Sequence, residues 1–135
     1  MPFTYTRRIR LADTDAAGVV YFARTLSLCH EAYEEALAAA GVNLSDLLGA
    51  GGIVVPIAKS EAEYLRPLQA GDRVRITATP ELLTEHSFAI RFEIHRAGTP
   101  EKLAARVRTE HVCTSPARRA RAALPSALAA WVAAG

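Results

Sequence analysis

Cysteine is nearly absent from this chain, with Cys29 and Cys113 the only two in 135 residues. Neither sits in a Cys-x-x-Cys or Cys/His spacing, so each reads as a buried free thiol and no metal site is expected. His30, His86, His95 and His111 form no ligand spacing either. Aromatic residues are scarce, at 7%, while alanine is abundant, which favours close helix packing over broad stacking platforms. Charge of one sign is also missing. The net value of +2 is too small to call for a nucleic-acid partner. The arginines nevertheless gather toward both ends, a distribution suited to a small polyanionic ligand. The alanine-rich stretch at residues 125–134 is too short to cross a membrane, so no membrane partner is expected. No basic region followed by an apolar run opens the chain, so no export signal and a cytoplasmic location are expected. No serine nucleophile elbow is present.

What is present is a sizeable apolar fraction, 50%, in a length that suits one domain over residues 1–135. Phe3, Tyr5, Ile9 and Leu11 alternate with polar neighbours and predict a half-buried strand. From Phe22 the period lengthens. Leu26, Cys29, Tyr33, Leu37 and Ala40 recur at steps of three or four, predicting one long helix that stops at Gly41. A short helical turn is expected at residues 44–48, and a strand interrupted at Pro56 over residues 53–65. Alternation then predicts strands through Val74, Ile76 and Ala78, through Phe88 to Ile94, and through Leu103 to Thr109. Residues 117–123 read as a basic tail, followed by a short final helix anchored by Trp131. One long helix over a mostly antiparallel sheet is an α+β layer architecture, and periodicity alone leaves several such sheets open.

The segment Asp13-Thr14-Asp15-Ala16-Ala17-Gly18-Val19-Val20-Tyr21-Phe22 joins the first strand to the long helix. Gly18 supplies the backbone freedom that a sharp turn needs. The helix start behind it aims unpaired N–H groups and a favourable dipole back at two carboxylates. A carboxylate beside such a start is a minimal apparatus for hydrolysing an activated acyl group. Read without further context, Asp15 serves equally as a turn former or helix cap. Asp13 reads best as a residue that holds the turn in shape.

Asp-x-Asp-x-x-Gly-x-Val-Tyr-Phe followed by a helix resembles the hot-dog-fold acyl-CoA thioesterases of the 4-hydroxybenzoyl-CoA thioesterase type. Leu11-Ala12-Asp13-Thr14-Asp15, Cys29-His30-Glu31-Ala32-Tyr33-Glu34, Gly71-Asp72-Arg73 and His111-Val112-Cys113 resemble the branch that hydrolyses 1,4-dihydroxy-2-naphthoyl-CoA in phylloquinone synthesis. The resemblance implies a sheet wrapped around the helix. It implies Asp15 as the catalytic carboxylate, either nucleophile or general base. It implies the Phe22 backbone N–H as donor to the thioester carbonyl, with Gly18, Tyr21 and the Phe22 ring beside the acyl group. No cofactor is implied, because coenzyme A is part of the substrate. Lys59, Arg66, Arg118, Arg119 and Arg121 are the candidates for its phosphates. A homodimer is expected, assembled further into a homotetramer. Glu31 and Glu34, on the long helix, are the runners-up for catalysis. A short-chain acyl substrate and a non-catalytic acyl-CoA-binding protein are the competing functions.

Overall fold

The computed structural model describes residues 2–49 and 52–135. Strand β1 (Phe3–Arg8) leads through a single 3-10 turn (Leu11–Asp13) to α1 (Phe22–Ala39). After α2 (Leu44–Gly49) come β2 (Ile57–Tyr64), β3 (Arg73–Thr84), β4 (Ser87–Arg96) and β5 (Lys102–Val112). A small hairpin, β6 (Thr114–Ser115) and β7 (Ala120–Arg121), precedes α3 (Ser126–Ala134). The five longer strands form one antiparallel sheet in the order β1-β3-β4-β5-β2.

Strand alternation gives the sheet two unlike faces. Ala78, Phe92, Val107 and Ala62 lie side by side across β3, β4, β5 and β2. That rank packs with Leu28, Cys29, Ala32 and Leu37 of α1 in the core. The neighbouring rank, Thr77, Glu93, Arg106 and Glu63, belongs to the outer face.

The helix buries Cys29 and Leu37 of the predicted row and, more deeply than the rest of it, a neighbouring row. Thr25, Leu28, Cys29, Ala32, Ala36 and Leu37 are buried, Leu26 and Tyr33 only partly so, and Ala40 is exposed beyond the helix end. So many alanines make two adjacent rows equally apolar, and the sheet selects between them. The stop is as expected, since Gly41 takes a φ of +78° and ends α1.

Strand β3 runs past Ala78 to Thr84, with Pro80 buried opposite Ile90. Strand β1 covers only Arg73 to Ala78, so the far half of β3 has an open side where proline is tolerated. The expected basic tail folds into the β6–β7 hairpin, with Ala122 donating to the Cys113 carbonyl. In α3 the buried residues are Leu128 and Val132 rather than Trp131. The Trp131 ring lies half-buried against Tyr33, at 5.7 Å between centroids.

Candidate active site

The turn between β1 and α1 closes on its own backbone. Asp15 N–H donates to the Val19 carbonyl at 2.9 Å, and Gly18 N–H to the Asp15 carbonyl at 3.0 Å. Gly18 reaches a φ of +82°, the left-handed region where a side chain is strained. The Ala17 N–H donates to Asp15 Oδ1 at 2.8 Å, so one oxygen of that exposed carboxylate is held in place. The turn is also pinned from outside, because Val20 N–H donates to the Leu68 carbonyl at 2.8 Å.

Asp13 has the opposite setting. Its side chain is fully buried. Oδ2 accepts from Arg7 Nη1 at 2.7 Å and from the Arg10 N–H at 2.8 Å, while Oδ1 accepts from Arg24 Nε at 2.8 Å. Burial alone would raise the pKa of this carboxyl. The Arg10 N–H and the guanidinium groups of Arg7 and Arg24 outweigh burial and hold it below the ordinary carboxylate range. The Asp13 carbonyl also accepts from the Tyr21 N–H at 3.0 Å. Asp13 thus fixes the turn and the entry of α1 together, as expected of it.

Helix α1 starts at Phe22 with no side-chain cap from Tyr21. Among the described residues, nothing accepts a hydrogen bond from the Phe22 N–H. A free donor at the positive end of an 18-residue helix favours a partial negative charge placed before it. This N-terminus opens into a cleft of about 410 Å³ lined by Asp15, Val19, Tyr21, Phe22, Tyr64 and Arg66, among others. Tyr21 and Phe22 are both exposed there, Phe22 to 61%.

The sequence candidates divide around this cleft. Asp15, Tyr21, Phe22 and Arg66 line it together, with Gly18 in the turn beneath. Arg66 is held at the rim, its Nη1 donating to the Leu103 carbonyl at 2.6 Å. Lys59, Arg118, Arg119 and Arg121 lie outside the lining. Glu31 is committed elsewhere. It pairs with Arg7 at 3.0 Å and accepts from the Tyr5 hydroxyl at 3.2 Å. Glu34 is exposed and does not line the cleft. Sequence reasoning missed Tyr64, whose hydroxyl donates to the Phe22 carbonyl at 3.0 Å. Its signal was an aromatic residue at the end of an otherwise polar, alternating strand.

The family model of the thioesterase-like superfamily matches residues 9–132. The chain belongs to that superfamily. This thioesterase is 45% identical over 128 residues to a 1,4-dihydroxy-2-naphthoyl-CoA hydrolase of Microcystis aeruginosa, covering 95% of this chain and 91% of the relative. It is 44% identical over 128 residues to the protein of the same name in Rippkaea orientalis, covering 95% and 93%. A crystal structure of a 1,4-dihydroxy-2-naphthoyl-CoA thioesterase from Synechocystis matches it with a TM-score of 0.92 at 35% identity, over 98% of this chain and 96% of that one. The hot-dog arrangement expected from the motif is the fold of this thioesterase.

Proposed function

We propose that the protein hydrolyses 1,4-dihydroxy-2-naphthoyl-CoA to 1,4-dihydroxy-2-naphthoate and coenzyme A. The observation that carries this reading is one cleft holding the Asp15 carboxylate and the uncapped N–H of Phe22, in a chain 45% identical to a hydrolase of that name. The thioester oxygen accepts from the Phe22 N–H, where the helix dipole stabilises the charge that grows as the carbonyl becomes tetrahedral. Asp15 acts on the carbonyl carbon by one of two routes. It adds as a nucleophile, the C–S bond breaks, coenzyme A leaves as thiolate, and water opens the resulting anhydride. Alternatively it takes a proton from a water molecule that adds to the carbonyl carbon, and the tetrahedral adduct collapses with loss of coenzyme A as thiolate. In a single turnover in ¹⁸O-water, label in Asp15 identifies an anhydride opened at the Asp15 carbonyl, because the direct route places the label in the naphthoate alone.

The binding site is completed from two subunits. Strand β2 is an edge strand, and all but one of its residues are exposed. Open edges of this kind are usually paired or covered. Two copies joined antiparallel through β2 bring the Lys59 end of one strand beside the Tyr64 end of the other. The β6–β7 hairpin is joined to that first end through the Val54–Thr114 bridge. Lys59, Arg118, Arg119 and Arg121 then approach the partner's cleft, where they serve the phosphates of coenzyme A. The dimer pairs further into a tetramer, and the reaction runs in the cytoplasm without a cofactor.

The test is a thioester panel with purified protein. Efficient cleavage of the dihydroxynaphthoyl thioester, at least tenfold above acetyl- and butyryl-CoA in kcat/KM, supports the reading. Equal or better cleavage of the short thioesters overturns the substrate. Binding of acyl-CoA with no turnover of any member overturns the enzyme.

A further inference from the structure

A second cavity lies farther along the same seam between α1 and β2. It holds about 80 Å³ and is walled by Leu26, Tyr33 and His30 of α1, Ile57 and Ser60 of β2, and Phe92, Thr109 and His111 of the central strands. Leu26 lies one helical turn, ~6 Å, beyond Phe22. On the strand side, Ser60 precedes Tyr64, whose hydroxyl reaches the Phe22 carbonyl.

The walls are unusual for an interior of this size. Thr109 and His111 are buried and bonded to each other, Oγ1 to Nε2 at 2.8 Å. The imidazole lies flat on Phe88, with centroids 4.6 Å apart and 5° between planes, so its orientation is fixed. Buried polar groups are costly unless they have partners. The Tyr33 hydroxyl, on a half-buried residue, and the Ser60 hydroxyl, on an exposed one, make no hydrogen bond within the described residues. The cavity therefore offers several uncharged donors and acceptors around a space fit for the edge of one ring, not for two rings.

We infer that this cavity reads the ring hydroxyl remote from the thioester, with Thr109, His111 and Ser60 as specificity-determining residues. The inference rests on the aromatic substrate proposed above. A carbonyl bound at the Phe22 N–H directs the acyl ring along α1, and a hydroxyl meta to the thioester arrives about one turn away. Its O–H donates to, or accepts from, the Thr109–His111 pair and Ser60. A pocket that bonds a hydroxyl discriminates against a ligand without one, because that ligand forfeits the hydrogen bonds.

The test compares kcat/KM for 1,4-dihydroxy-2-naphthoyl-CoA and 1-hydroxy-2-naphthoyl-CoA, which lacks only the remote hydroxyl. Thr109→Val keeps the buried shape, and Ser60→Ala alters an exposed edge residue, so at least one variant folds. The unaltered protein should favour the dihydroxy thioester at least ~30-fold, and Thr109→Val should lower that ratio at least ~10-fold. Ser60→Ala should lower it by about threefold. A loss shared equally by both thioesters, or an unchanged ratio in both variants, overturns the inference and leaves the thioesterase reading standing. Failure of the unaltered protein to cleave either naphthoyl thioester overturns the substrate reading, and this inference with it.

Discussion

Asp13 and Asp15 are separated by one residue and live in opposite surroundings. Asp13 is 1% exposed and binds two arginines and a backbone N–H. Asp15 is exposed, and its side chain accepts one hydrogen bond, from Ala17 two positions on. A carboxylate enclosed by cations and backbone has no lone pair directed at a ligand. A carboxylate held by one oxygen on the wall of a cleft has the other free for chemistry. Two chemically identical side chains thus divide into a part that sets the shape and the part proposed above to react.

The sharpest way to break this division is to alter Asp15 alone. Asp15→Asn should lower kcat by at least ~10²-fold while the melting temperature holds, since the Ala17 bond survives on the amide oxygen. Near-normal turnover by this variant, with loss in Glu31→Gln, would move catalysis to the helix. Removing the other part should act on stability first. Asp13→Ala takes from buried Arg7 its 2.7 Å partner and leaves it only the half-buried Glu31, and breaking such a buried pair costs up to about 3–5 kcal/mol in urea unfolding.

Acid sharpens the contrast. Burial, with His30 nearby, pushes the His111 imidazole down to about 4. The unfolded chain therefore takes up a proton near pH 6.5 that the native chain refuses. Stability should be full above pH 6.5 and fall by roughly 3 kcal/mol toward pH 4. The depressed Asp13 carboxyl contributes stability that is present above its unfolded value near ~4 and is lost below it, as pH falls through the native value. Asp13→Ala should erase the lower limb and keep the upper one, as read by chemical denaturation across pH. The smallest effect belongs to the hairpin. Changing Arg118, Arg119 and Arg121 together to Gln should raise KM a few-fold and weaken its salt dependence, with little change in kcat.

The half of the site that the sequence made visible is the half built from neighbours in the chain. Asp15, Gly18 and Phe22 lie within one turn, and a positive φ and a helix start both follow from local residue types. Tyr64, Leu68 and Ala105 reach the same cleft only because β2 pairs with β5 and the loop after it meets the turn. No local pattern states that register. The strands were legible where one face is buried, as in β4, whose Phe88, Ile90, Phe92 and Ile94 alternate as read. Alanine blurred the buried row of α1, and the missing neighbour beyond Ala78 is what lets β3 continue through Pro80.

The arginine clamp around Asp13 joins positions only 6 and 11 residues apart, whereas β1 must find Ala78 to pair Phe3. Chain closure over so few residues loses little entropy, and that loss grows with the logarithm of loop length. Most of the turn that carries Asp15 can therefore take its native shape before the sheet is complete. It follows that damage in strands that do not line the cleft, such as β3, will show mainly as a smaller yield of folded protein. The molecules that do fold should keep the turnover of the intact enzyme.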